Sequence, residues 1–129
     1  SSIHRAVVFE ADSLFLRPDQ IDKLRQRDSV FAEQVRAIYR PLAEYLAAVP
    51  EGKATAEALA KAKAAQDAYW ALFWKQPELA AEALESQQID LMSLLKDMLT
   101  IPQGKRTGAR FYFGSGVTLK HSVAQVRKD

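Results

Sequence analysis

Apolar residues recur in steps of three and four from Ile21 to Val49, at Ile21, Leu24, Phe31, Val35, Ile38, Leu42, Tyr45 and Val49. Asp28 takes the one step in the series that no apolar residue fills. This spacing lines one face of a long helix. A stripe of that length has to be covered, and Pro50-Glu51-Gly52 offers a short connection of the kind that joins antiparallel helices. Between Ile3 and Ile101, Gly52 is the single glycine, so little else interrupts helix formation. Pro41 falls within the stripe. It removes the bond to the Ala37 carbonyl and is expected to kink the axis.

The same reading extends in both directions. Ile3, Val7, Ala11 and Leu14 suggest a short helix from Ile3 to about Ser13, and Pro18 then opens the long one. Thr55 is placed to cap an alanine-rich helix from Ala56 to about Lys75. Pro77 breaks or restarts the chain, with Glu78 in the first turn. A last helix is expected through Leu79, Ala83, Ile89, Leu91, Leu94, Leu95, Met98 and Leu99, ending near Thr100 before Pro102 and Gly104. The expected fold is all-α: a long kinked helical hairpin with flanking helices over 1–102, then a basic tail over 103–129. In that tail, Arg110-Phe111-Tyr112-Phe113 and Val117-Thr118-Leu119 flank Gly114-Ser115-Gly116, so it reads as irregular, a linker, or a short β-hairpin.

Composition narrows the function. A chain of 129 residues, 48% hydrophobic and 26% charged, is one domain with room for a core. The absence of cysteine excludes disulfides and thiol chemistry. No apolar run approaches the roughly 20 residues of a spanning helix. The chain opens on Ser1-Ser2 without a signal-peptide pattern, as a processed protein or an excised domain would. Residues 1–103 carry twelve basic and fifteen acidic side chains, whereas 104–129 carry six basic ones against Asp129. The positive charge therefore belongs to the tail, and no nucleic-acid-binding motif accompanies it.

Two pentads stand out: Leu16-Arg17-Pro18-Asp19-Gln20 and Leu84-Glu85-Ser86-Gln87-Gln88. In each, a glutamine follows a leucine by four. At a helix start such a glutamine can bond back to the backbone N–H of the cap residue, half of a capping box. The pair resembles the degenerate LTxxQ signature of the Spy/CpxP family of bacterial periplasmic helical proteins, in which two copies flank a helical hairpin. Both copies here depart at the threonine, replaced by Arg17 and Glu85. The resemblance covers about residues 14–101. It implies a periplasmic, ATP-independent protein-binding domain, chaperone-like or tied to envelope stress, that often dimerises and presents a concave face to unfolded or envelope proteins. By that analogy Leu16 and Gln20 are candidate partner contacts.

Tyr69, Trp70, Phe73 and Trp74 form the densest apolar cluster and span about 140° of helix face. They are the other partner-binding candidates, set against plain packing on Phe31, Ile38 and Tyr39. His4 and His121 lie at opposite ends without metal-ligand spacing, and Met92 and Met98 suit core filling, so no metal or other cofactor is expected. Nor does the chain hold a nucleophile elbow, phosphate loop or Cys/His pair; Ser115 between glycines only imitates the first. No catalytic residue is assigned. The alternatives to a chaperone-like protein are an accessory helical domain of a larger cell-envelope protein and a periplasmic metal sensor.

Overall fold

The computed structural model describes residues 2–50 and 55–108, and among these the protein is all-α. The six helices are α1 (Ile3–Phe9), α2 (Pro18–Ala48), α3 (Ala56–Phe73), α4 (Gln76–Glu82), α5 (Ser86–Leu91) and α6 (Ser93–Thr100), followed by a 3-10 turn at Gln103–Lys105. No helix among them is long and apolar enough to cross a membrane.

α1 stops at Phe9, short of the expected Ser13. Turns through Leu14 and Leu16, whose N–H groups reach Glu10 and Ala11 carbonyls, reverse the chain toward Pro18. Phe15 takes a φ of 55°, a left-handed conformation that costs a non-glycine residue energy and must be held by its surroundings. At the other end of α1 the Ser2 hydroxyl caps the helix by accepting from the Arg5 N–H, and it donates to Asp28 of α2. Arg5 adds an ion pair to the same carboxylate at 3.3 Å. Asp28 interrupts the apolar stripe because it is the post to which α1 is tied.

α2 begins with Pro18 at its first position and continues on both sides of Pro41. α3 packs back against it as the hairpin partner. The Thr55 hydroxyl caps α3 through the Ala58 N–H and meets the Tyr45 hydroxyl at 2.7 Å, joining the two helices near their connection. Along the distal half, α2 contributes only half-buried side chains (Val35, Ile38, Leu42, Tyr45), opposite the buried small residues Ala58 and Ala65. Among the described residues this half is a two-helix arm, whereas α1 and α4 reach α2 at Asp28 and Arg27 in its proximal half. There Leu24, Phe31, Val7, Leu14, Ala80, Leu95 and Met98 close a core.

The single last helix expected from Leu79 to Leu99 is instead three: α4, α5 and α6. Glu85 is extended at ψ 157° and starts α5 as a new helix, while Met92, at φ −109° and ψ 90°, turns the chain again before α6. Apolar spacing persists through both breaks, yet Leu91 and Leu94 stay exposed while Leu95 and Met98 are buried. Residues 103–108 stay attached to this body. The Arg106 guanidinium, 3% exposed, forms an ion pair with Glu78 and donates to the carbonyls of Met98, Ile101 and Trp74. The β-hairpin considered for Arg110–Leu119 lies outside the described residues.

Candidate functional site

The two pentads, 68 residues apart in sequence, meet in space. Gln20 and Gln88 sit in the first turns of α2 and α5, each with its amide oxygen accepting the N–H of its own cap residue, Arg17 or Glu85, at 2.9 Å. Only this glutamine half of the capping box is available at Arg17, since a guanidinium has no acceptor. The two amides then bond to each other in both directions: Gln20 Nε2 donates to Gln88 Oε1 at 2.6 Å, and Gln88 Nε2 donates to Gln20 Oε1 at 3.0 Å. Each Nε2 has a second acceptor two residues before the opposite cap, Ala83 for Gln20 (3.0 Å) and Phe15 for Gln88 (3.3 Å).

Every contact of the two amides therefore has a counterpart 68 positions along. The cap residues complete the pattern, because Arg17 Nη1 reaches Glu85 Oε1 at 2.8 Å. Both are exposed, and hydrogen bonding to Asp19 and then Glu85 raises the Arg17 pKa. Such exposed pairs contribute little to stability. The amides are different. Gln20 is 3% and Gln88 is 7% exposed, and both amides have their donors and acceptors engaged. A buried amide that is fully paired specifies geometry, whereas a half-paired one costs stability. The left-handed Phe15 has its reason here: it presents its carbonyl to Gln88.

The second group of candidates lies elsewhere. Tyr69, Trp70, Phe73 and Trp74 are 5–8% exposed and belong to the core. Trp70 and Trp74 stand edge-on to Phe73, with centroids 5.2 and 5.4 Å apart, and Tyr69 touches both Phe31 and Tyr39. Arg106 lies over the Trp74 ring at 5.7 Å. The wide aromatic face is thus covered by α2 on one side and by the Arg106 segment on the other. Gln20 is likewise buried and Leu16 half-buried. All six residues assigned to partner contact take part in internal packing or bonding.

The structure brings forward residues that spacing did not. His4 is 1% exposed, and burial pushes its imidazole from the usual 6.5 to about 4, with the Arg27 charge adding to this and Asp28 opposing it. Gln76, also buried, accepts the Ile3 N–H at 2.8 Å and so joins α1 to α4. Arg106 holds the Glu78 carboxyl below its usual range by hydrogen bonding. Asp28 alone had a signal in the sequence, as the polar residue in an apolar stripe. Exposed apolar side chains were also unforeseen: Phe9 (88%), Phe15 (78%), Leu91 (58%) and Leu94 (40%).

No group of three or more His, Asp or Glu among the described residues could hold a metal ion. Among the described residues, carboxylates pair with arginine or lysine, as Asp19 does with Arg17 and Asp67 with Lys63, and Asp28 also accepts from the Ser2 hydroxyl. Comparison with protein-family models, with curated proteins and with solved structures finds no match.

Proposed function

We propose that this chain is an ATP-independent protein-binding domain of the bacterial periplasm, similar in plan to the Spy/CpxP helical proteins, and that it catalyses no reaction. The observation that carries this reading is the junction of the two pentads. The residues that resemble the family's repeated signature are the ones that clasp the starts of two helices beneath a long hairpin. The matching contacts of the two pentads support this reading.

The binding surface under this reading is the exposed apolar rim of the base, not the aromatic cluster. Phe9, Leu91 and Leu94 border a groove of about 440 Å³ between α1 and the α5–α6 turn, and Phe15 stands near it on the loop after α1. Large exposed apolar groups of this sort mark interaction sites. The ligand is an apolar stretch of an unfolding envelope protein, held without nucleotide. Pairing of two copies through the long helices belongs to the same proposal.

The test is light scattering from an aggregating client mixed with equal moles of this protein in the absence of ATP. Suppression supports the proposal. Undiminished scattering at several-fold excess would move the function to an accessory domain. Multi-angle scattering on the protein alone tests pairing, with a monomer mass at high concentration counting against it.

A further inference from the structure

A separate cleft of about 390 Å³ opens between α2 and the turn that joins α3 to α4. Its buried lining comes from Phe31, Gln76 and His4, whose Nδ1 has no hydrogen-bond partner among the described residues. Val30 and Leu79 add apolar surface that remains 52% and 39% exposed. Lys23 and Lys75 also line it, both exposed and neither in an ion pair among the described residues. Arg27 is a third cation, already committed to the Leu79 carbonyl and to Glu82. No aspartate or glutamate lines the cleft.

We propose that this cleft binds a small carboxylate with an apolar tail, its head held by the ammonium groups of Lys23 and Lys75 and its tail laid against Val30 and Leu79. A cleft lined by one sign of charge concentrates counter-charged ligands. A bare inorganic anion would leave the apolar wall wet, and a neutral amphiphile would leave the lysines without a partner. A ligand carrying both features matches both halves of the lining, and the volume lies at the small end of ligand pockets. The inference does not depend on client binding, since the apolar rim of the base shares no residue with this cleft.

Octanoate is the probe, titrated calorimetrically at low salt. A dissociation constant on the order of 0.1–1 mM is expected. Octylammonium has the same tail with the charge reversed and should bind about tenfold more weakly, as should acetate, which lacks the tail. The variant Lys23→Glu/Lys75→Glu changes two exposed residues, so its fold can be verified by circular dichroism. Its octanoate affinity should drop about tenfold while octylammonium gains. Equal binding of the two probes, equal octanoate affinity in the variant, or no heat at several millimolar would each overturn the proposal. Oleate-doped phosphatidylcholine vesicles separate the sources of the carboxylate: the protein should stay in the supernatant, and sedimentation with the vesicles would overturn a free ligand.

Discussion

Gln20 and Gln88 illustrate how a buried polar pair is tied to its partners. Truncating either one leaves the other, buried amide and two backbone groups without these partners. Gln20→Ala or Gln88→Ala is expected to cost about 2–4 kcal/mol, measured by urea unfolding. The double variant should cost less than the sum by about 1–2 kcal/mol, because the second removal breaks bonds already lost. Additive losses would show that the two amides act independently. His4 sets a different dependence. Its folded pKa of about 4 lies below the ordinary 6.5, so between these values the unfolded chain takes up a proton that the folded chain refuses. Stability should therefore fall as pH drops from about 6.5 to about 4, by an amount on the order of 1–3 kcal/mol. In His4→Phe that part of the slope should vanish, and an unchanged slope would assign it to other groups.

At the scale of elements, helix lengths were set by events outside each helix. The Leu79–Leu99 run has unbroken helical periodicity, yet it folds as three pieces, because Gln88 must reach Gln20 and Met92 must turn inward. Propensity and pattern report which residues seek the core, whereas a break is chosen by a contact far away in sequence. The segment after α6 shows the same thing. Arg106 reads as one charge in a basic tail, but its guanidinium closes the carbonyl ends of two helices. Gly108 follows it against Trp70, where an added Cβ would stand 2.8 Å from Nε1. Gly108→Ala should accordingly lower stability by about 1–3 kcal/mol and alter tryptophan fluorescence. Gly104→Ala, with nothing within 4 Å of the new carbon, is the neutral control. Equal stability of the two variants would mean that this segment does not pack on Trp70 in solution.

Among the described residues the molecule divides into a packed base and a two-helix arm, and the proposed binding surface lies on the base. Aromatic residues spread over a wide arc of α3 suggested a face shared with a partner. In the base, that arc is occupied by α2 and the Arg106 segment instead, so truncation tests the core. Trp74→Ala is expected to cost about 3–5 kcal/mol in stability. Phe9→Ser with Leu91→Ser should change stability by less than about 0.5 kcal/mol and weaken client holding in the scattering assay. Retained holding in that double variant would exclude the apolar rim.

The sequence by itself determined the helical class, the hairpin with its start at Pro18 and its cap at Thr55, and the recurrence of a glutamine four residues after a leucine. Each follows from rules that act within a few residues: periodicity of apolar side chains, proline at a first turn, an amide folding back on its cap. Only the tertiary structure decided that the glutamines bond to one another, that Asp28 anchors α1, that the last helix breaks twice, and that the tryptophans lie inside. Those outcomes depend on groups tens of residues apart competing for one interior, where desolvation leaves no polar group unpaired without cost.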